Sequence, residues 1–245
     1  MTSRTMHTAR DRIVRALTVG AAAATLAAPL LVGAAASASS APAPGRFSTT
    51  IDNPYLPLKP GTRMVYRTTD GDEHGREVVR VTHRTRVLDG VTVRVVRDRA
   101  YVGGSLVEDT RDFYAQDRRG NVWYFGENTR TLKDGTVTST EGSWLAGVDG
   151  ANAGVVMEAH PAVGDRYAQE DAPGVAEDRA KVLSLDAHAT VPYGSFDGLL
   201  KTKDFSPLEP SVIEHKKYLR GVGSILEKEV MGGQERLVLV RVTHS

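Results

Sequence analysis

The chain has no cysteine among its 245 residues. No disulfide framework can therefore stabilise it, although exported compartments would permit one. The same absence excludes a bacterial lipoprotein, because the lipid of such a protein is carried by a cysteine at the cleavage point. Adjacent arginines, which mark the twin-arginine export route, are also missing before the N-terminal apolar run. We therefore expect a free, soluble protein that is stabilised by its core alone.

The first 38 residues have the layout of a secretory signal peptide. Four arginines within the first 15 residues form a basic region, and an alanine-rich apolar run follows from Ala16 to Ala36. Ala36-Ser37-Ala38 then provides a small-x-small cleavage site before Ser39. Pro29 and Gly33 interrupt the run, which argues against the alternative of a transmembrane anchor. The sequence predicts that residues 1–38 are removed and that the mature protein is secreted or otherwise extracytoplasmic.

The mature chain has no large excess of either charge. Residues 1–38 hold four of the 31 basic and one of the 30 acidic side chains, so 27 and 29 remain, a net charge of −2. This balance predicts no basic stripe on the surface. We therefore expect neither a nucleic-acid partner nor a stable membrane anchor after cleavage. The sequence does not indicate the oligomeric state.

The mature chain divides into a short N-terminal region and one β domain. Residues 39–60 are predicted to form a flexible leader and a proline-rich arm, since Pro54, Pro57 and Pro60 recur at every third residue. We expect the arm to pack across a sheet through the apolar side chains that lie between and beside these prolines. Residues 61–245 have a length that suits a single all-β domain.

Alternation of apolar and polar residues predicts the first long hairpin. From Glu77 to Val87, the odd-numbered positions from Val79 onward form an apolar face that includes His83, and arginines dominate the other face. A two-residue turn at Asp89-Gly90 would place arginines opposite valines. We therefore predict a three-residue loop with Gly90 in the left-handed conformation. This register pairs Val87 with Val91, Thr85 with Val93, and His83 with Val95.

A second hairpin is predicted at Asp117-Arg118-Arg119-Gly120, with Gly120 as the bulge residue. This register brings aromatic residues and opposite charges opposite one another, which supports it. The predicted pairs are Asp117 with Asn121, Ala115 with Trp123, Tyr114 with Tyr124, Phe113 with Phe125, and Arg111 with Glu127.

The remaining chain predicts more strands and no helix of useful length after cleavage. Residues 134–161 contain five glycines and two apolar anchors, Trp144 and Met157, so we expect a long ordered loop or short helical turns there. Without a helical layer, the sheet must curve on itself. We predict an all-β fold: a strongly curved antiparallel sheet, a half-barrel or nearly closed barrel, with a long glycine-rich covering loop. The later strands are predicted at 165–169, 177–186, 196–204, 212–219, 222–230 and 235–243, with a turn at Gly232-Gly233.

Three parts of the mature chain carry recognisable patterns: a strand at 58–66, a hairpin at 108–117 with 120–127, and closing strands between 193 and 223. They resemble an uncharacterised family of secreted actinobacterial-type β proteins. The likeness spans most of the mature chain. It implies a secreted β protein, more distantly similar to the half-barrels of periplasmic lipoprotein carriers, and it carries over no catalytic residues. Met64 stands where a tryptophan is usual in the family. The matching segments are 58–66, similar to an opening "PLxPGxxWxY" strand, 108–117 with 120–127, similar to a central hairpin, and 193–197, 200–203, 214–218 and 221–223, similar to closing strands.

Motifs with catalytic or metal-binding chemistry are weak. His83 is predicted to be a buried, hydrogen-bonded histidine, and the chain offers no spacing typical of metal ligands. Glu108 and Asp112 share one face of a strand and could serve acid–base chemistry, but pairing with neighbouring arginines is the favoured interpretation. Gly194-Ser195-Phe196 is not a nucleophile elbow. We therefore expect no catalytic residues, no metal and no cofactor.

The aromatic residues are the best functional candidates. Phe113, Trp123, Phe125 and Trp144 could line the concave side of a curved sheet and form an apolar ligand site, and the alternative is an ordinary core. The leading hypothesis is an exported, non-enzymatic binding module that carries an apolar or lipid-like ligand or assists a cell-envelope partner. The alternatives are a secreted hydrolase that uses Glu108 and Asp112, and a structural envelope protein.

Overall fold

The computed structural model describes residues 43–245. The signal peptide predicted at residues 1–38, with its cleavage before Ser39, lies outside these residues. No helix among the described residues is long and apolar enough to cross a membrane, and their helical structure is one 3₁₀ turn, Pro44–Arg46.

The rest of the described chain is built almost entirely from β-strands. In chain order they are β1 Phe47–Ser48, β2 Thr62–Asp70, β3 Glu73–Leu88, β4 Val91–Val102, β5 Ser105–Asp117, β6 Val122–Asn128, β7 Thr131–Lys133, β8 Thr136–Ser139, β9 Trp144–Leu145, β10 Asn152–Met157, β11 Arg166–Ala168, β12 Glu170–Asp171, β13 Arg179–Val191, β14 Gly194–Phe205, β15 Ile213–Leu219, β16 Gly223–Met231 and β17 Arg236–His244. Five of the six later strands lie within two residues of their predicted bounds, and β13 ends five residues beyond its predicted end.

The strands form a nearly closed antiparallel barrel. Strands β2 to β6 pair in sequence, strands β13 to β17 do the same, and β17 pairs with β2. On the other side, β6 pairs with β10, which reaches β13 through the short strands β11 and β12. The predicted fold class is therefore confirmed. The physical cause is the absence of a helical layer, since the sheet buries one face only by curving around it.

The register predicted for the β3–β4 hairpin is wrong. Leu88 pairs with Val91 and Val87 with Thr92, so Asp89-Gly90 is the two-residue turn that the strand alternation argued against. Asp89 and Gly90 have φ angles of 45° and 72°, as a type I′ turn requires. The left-handed conformation of Gly90 is confirmed, and the loop length is not.

The prediction failed because β4 is buried on both faces: Val93 and Val95 belong to one buried cluster, and Val96 belongs to another. A bulge also interrupts the pairing of β3 with β4. Val81 pairs with Val96 and Thr85 with Arg94, so three residues of β3 oppose a single residue of β4. Thr82 Oγ1 donates to the Val95 carbonyl at 2.6 Å, and Arg94 Nη1 donates to the His83 carbonyl at 3.1 Å. His83 lies within the bulge and is exposed, and Val87, near the end of the strand, is 64% exposed. The prediction that His83 is buried on the apolar face is therefore wrong.

The β5–β6 hairpin follows its predicted register near the turn. Ala115 pairs with Trp123 and Tyr114 with Tyr124, and the Asp117 amide donates to the Asn121 carbonyl at 2.9 Å. Gly120 has the predicted positive φ, 89°. Farther from the turn a bulge intervenes between Tyr124 and Glu127. There Glu127 pairs with Asp112, and the predicted pair of Arg111 with Glu127 is replaced by Arg111 with Asn128.

The segment 134–161 covers part of the barrel, and it contains more strand than predicted. Trp144, Ala146, Ala151 and Ala153 belong to one buried cluster with the aromatic residues of β5 and β6. The residues Asn152–Met157 form β10 and pair with β6, so this segment also helps to close the sheet. No helical turn forms here, because each glycine with positive φ begins or ends a tight turn between short strands.

The proline-rich arm packs onto one end of the barrel. Tyr55 and Leu58 are buried in a cluster with Val81, Val96 and Leu200 from the barrel wall. The Gly221 amide donates to the Pro54 carbonyl at 2.7 Å, and the Arg220 guanidinium lies 5.1 Å from the centre of the Tyr55 ring. The arm is thus held against the turn between β15 and β16.

Candidate functional site

The four aromatic residues predicted as ligand contacts lie together in the buried cluster beneath the covering segment. Trp123 is 2% exposed, and its Nε1 donates to Asp117 Oδ2 at 3.0 Å. The Phe47 ring packs edge-on against Trp123 and Phe125, with centroids 6.0 and 5.3 Å apart. Phe113 belongs to the same cluster. The barrel also encloses a cavity, and none of these four side chains lines it. Ligand contact by them stays a prediction.

Trp144 contacts two residues of the cavity wall. Its Nε1 lies 3.3 Å from Glu170 Oε1, and its ring meets the Tyr124 ring edge-on at 5.6 Å. Glu170 and Tyr124 both line the cavity. Trp144 therefore supports the wall of the cavity from behind.

The cavity lies inside the barrel and has a volume of about 150 Å³. The inward side chains of β2 to β6, β15 and β16 form its wall, and Leu56, Pro57 and Leu58 of the arm lie at its edge. In β5 the inward residues are Asp112 and Tyr114, since neighbouring residues of a strand face opposite sides. The same alternation places Phe113 and Ala115 away from the cavity. The aromatic wall of the cavity is made of tyrosines: Tyr66, Tyr114, Tyr124 and Tyr218.

The cavity wall is unusually rich in buried carboxyl groups. Glu77, Asp98 and Glu227 are each no more than 7% exposed, and they line the cavity beside Val79, Val96 and Met64. Burial, followed by the charges of neighbouring carboxylates, raises the pKa of Glu77 and of Asp98 well above their usual range. A raised pKa favours the neutral form of the Glu77 and Asp98 carboxyls, and a neutral carboxyl can both donate and accept hydrogen bonds.

A continuous chain of hydrogen bonds joins three of these buried carboxyl groups. Tyr124 Oη lies 2.8 Å from Asp112 Oδ1 and 2.8 Å from Glu127 Oε2. From Glu127 the chain continues through the hydroxyls of Thr129 and Thr110 to Glu108, with separations of 3.1, 2.9 and 3.0 Å. One end of the chain, Asp112, lines the cavity.

The number of hydrogens in this chain fixes its protonation. Five hydrogen bonds join six groups, and the hydroxyls of Thr110, Thr129 and Tyr124 supply three hydrogens. The other two hydrogens must come from the carboxyls of Glu108, Asp112 and Glu127, so two of these three are neutral. Burial raises the pKa of Asp112 to about 7 and that of Glu108 to about 8. Burial and the charges of Glu170 and Asp112 also raise the pKa of Glu127.

Lys216 is the only cation among the described residues that line the cavity. Its Nζ lies 3.3 Å from Glu227 Oε2, 3.6 Å from Glu214 Oε2 and 3.7 Å from Asp204 Oδ2. Burial lowers the pKa of Lys216, and the three carboxylates raise it by more, so Lys216 stays charged. The cavity therefore has one charged end, near Lys216, beside a wall of apolar side chains and neutral acids.

The acidic residues of β5 do not all bind arginines as predicted. Asp109 does, since Arg97, Arg99 and Arg130 lie 2.6, 3.3 and 2.9 Å from its carboxylate. Glu108 and Asp112 point into the barrel instead and bond to hydroxyls, so the prediction that they pair with arginines is wrong. Among the described residues, no group of three or more His, Cys, Asp or Glu side chains could hold a metal ion.

Sequence reasoning missed the inward carboxyl groups, although a signal was present. Glu77 precedes Val79 and Val81 with a spacing of two, Asp98 follows Val96, and Glu227 follows Ile225. An acidic residue in phase with buried aliphatic residues indicates an inward carboxyl group.

No family model and no curated protein matches this chain, so the family resemblance stays a prediction. Among solved structures, a candidate exported protein with a YmcC-like fold from Bacteroides fragilis superposes with a TM-score of 0.47 at 12% identity, over 77% of this chain and 98% of its own. A candidate lipoprotein from Parabacteroides distasonis superposes with a TM-score of 0.42 at 13% identity, over 78% and 100% of the two chains. Likenesses of this size assign no function to the cavity.

Proposed function

We propose that this protein is an exported, non-enzymatic binding module that takes a small, mainly apolar molecule, or the end of a longer lipid-like chain, into its barrel. The observation that carries the proposal is the wall of the cavity. Valine, methionine and leucine side chains supply the apolar surface, and the neutral carboxyls and tyrosines supply a few polar groups. This mixture is typical of small-molecule sites.

The size of the cavity restricts the ligand. A volume of about 150 Å³ accommodates a molecule with few heavy atoms, and drug-sized ligands occupy cavities of about 300–1,000 Å³. A long acyl chain therefore fits only in part. Lys216 already lies within 4 Å of three acidic side chains, so it needs no anionic ligand, which favours a neutral ligand with one hydroxyl or carbonyl group.

Filling the cavity tests the proposal. Val79 lines the cavity, so Val79→Phe would place a ring in the space that the ligand needs. Val87→Phe is the matched control, because Val87 lies on the same strand and is 64% exposed. We expect hexanol and phenol to bind the parent protein and the control in a saturation-transfer NMR measurement, and binding to Val79→Phe to be lost. Equal binding by both variants would place the ligand elsewhere and overturn the proposal.

Acid–base hydrolysis is a second candidate, and it rests on Asp112. This carboxyl lines the cavity with its pKa raised to about 7 by burial, a value that suits a general acid. Native mass spectrometry of protein secreted by its own host separates the two candidates. An intact small molecule retained by the protein supports binding. A hydrolysis product that forms in the presence of the parent protein, and does not form in the presence of Asp112→Asn, supports hydrolysis.

A further inference from the structure

The barrel separates the two signs of charge. Thirteen acidic side chains of the described residues are buried, and Arg94 is the one buried basic residue among them. Residues 43–245 contain 27 basic and 29 acidic side chains, since residues 1–42 hold four and one of the totals of 31 and 30. The partly or fully exposed side chains are therefore 26 basic and 16 acidic. A chain with nearly balanced charge thus has a clearly basic exterior.

The excess is concentrated in a row of cations across the outer wall of β13 to β17. Each member lies directly opposite the next on the neighbouring strand. Strands lie about 4.8 Å apart, so the row spans about 19 Å. Like charges that face each other across strands destabilise a sheet. We call this set the basic row: Lys181, Lys203, His215, Lys228 and Arg236.

A second pair of cations widens the row. Lys201 lies opposite Lys217 on the same outer wall. Desolvation, followed by the charge of Lys201, lowers the pKa of Lys217, and desolvation with the charges of three lysines lowers that of His215. The fold thus concentrates positive charge here at an electrostatic cost.

Acidic side chains do not neutralise this surface. Within the described part of the chain, the ion pairs closer than 4.0 Å involve Arg97, Arg99, Arg130 and Lys216, and no member of the basic row. Three acids of the same strands, Asp204, Glu214 and Glu227, point inward to Lys216. Lys217 Nζ donates to the His188 carbonyl at 2.6 Å, and Lys203 lies 5.2 Å from the Phe205 ring centre, so both are held in place without a counter-charge.

The surface is also concave. Part of the basic row and the pair Lys201 and Lys217 line an open depression of about 460 Å³, together with Leu226 and Val230. A single small anion would contact only one or two of these charges, because they lie in a line and do not converge on one point.

We propose that the outer wall of β13 to β17 binds a linear polymer of phosphate groups, which lies along the basic row. Lysines dominate the row, and they bind phosphate as point charges without demanding one orientation of the chain. The site is separate from the barrel cavity, so it does not depend on the proposed function of that cavity.

The test measures binding of inorganic polyphosphate to the full mature protein by isothermal titration calorimetry. The triple variant Lys203→Gln/Lys228→Gln/Arg236→Gln removes three charges from the row. The triple variant Arg118→Gln/Arg119→Gln/Lys133→Gln is the matched control, since it removes three charges from exposed turns elsewhere. We expect the row variant to bind at least about tenfold more weakly and with a shallower salt dependence, and the control to change binding by less than about threefold.

The melting temperatures of the variants show whether a loss of binding reflects misfolding. The row variant relieves repulsion between facing cations, so its melting temperature should equal or exceed that of the parent protein. If it fails to fold, Lys201→Gln/Lys217→Gln provides the same comparison. A parallel titration with single-stranded DNA tells whether phosphodiester chains also bind. The proposal would be overturned if polyphosphate binding weakened equally in both triple variants, or if the parent protein did not bind polyphosphate. It would also be overturned if the parent protein bound anionic vesicles and not polyphosphate.

Discussion

At the scale of single residues, Trp123 joins the turn of the β5–β6 hairpin to the core. Its indole N–H donates to the Asp117 carboxylate, and Asp117 also accepts from the amides of Arg119 and Asn121 at 2.8 and 3.0 Å. The ring itself packs in the aromatic cluster beneath the covering segment. One side chain therefore contributes to both packing and turn geometry.

Trp123→Ala should lower the free energy of unfolding by about 3–5 kcal/mol, because it leaves a large void in a packed cluster. Trp123→Phe should cost less, since it retains most of the ring and loses one hydrogen bond, worth about 0.5–1.5 kcal/mol. Urea unfolding followed by circular dichroism measures both. A Trp123→Ala protein as stable as the parent protein, but unable to bind hexanol, would instead make Trp123 a ligand contact.

At the scale of secondary-structure elements, bulges decide which face of each strand points inward. The bulge opposite Val95 in β3 exposes His83, and the bulge at Phe125 and Gly126 in β6 directs Glu127 toward Tyr124 and Asp112. Gly126 has a φ of 113°, and its backbone pairs with Leu145 of β9. The bulge in β6 thus brings Glu127 into the hydrogen-bonded chain of carboxyl groups.

Gly126→Ala should destabilise the protein strongly. The new Cβ would collide with the carbonyl oxygen of Trp144, and the φ angle alone costs about 1–3 kcal/mol in a residue other than glycine. Gly135→Ala is the control, because its φ of 79° is also positive but no atom lies within 4 Å of an added Cβ. We expect a clearly lower melting temperature for Gly126→Ala than for the control. Equal losses of melting temperature in the two variants would mean that β9 can move away from the added Cβ.

At the scale of the whole molecule, the buried carboxyl groups determine how stability depends on pH. Burial raises the pKa of Asp112 to about 7 and those of Glu108 and Glu214 to about 8. In an unfolded chain these groups ionise near pH 4, at about 3.9 for Asp and about 4.3 for Glu. Between the two values the folded protein binds more protons than the unfolded chain, so stability falls as the pH rises.

We therefore expect the protein to be more stable at about pH 5 than at about pH 8, as measured by urea midpoints. Asp109 acts in the opposite direction, since hydrogen bonds and charges from the arginines outweigh its burial and lower its pKa, but its contribution is lost only in more acidic solution. Glu108→Gln should reduce the slope by up to about 1.4 kcal/mol per pH unit. The exposed Glu141→Gln should leave the slope unchanged. A parent protein that loses stability steadily below pH 7 would contradict this account.

The sequence by itself determined the class of the fold and the place of most strands. Alternation with a period of two and the glycines of tight turns are local properties, so they predicted strands β13 to β17 and the turn at Gly120. They did not predict the bulges, because the contacts that hold a bulge come from other strands, as Arg94 does for His83. They also gave the wrong register for the β3–β4 hairpin, because β4 is buried on both of its faces.

Only the tertiary structure decided where the charges lie. Net charge is a sum over the chain, and it predicted no basic stripe, whereas folding buries thirteen acidic side chains and leaves the basic row outside. It also placed the cavity on the tyrosine face of β5 and β6 and not on the face of Phe113 and Trp123. The physical reason is that a strand has two faces, and local sequence cannot tell which of them the closed sheet will enclose.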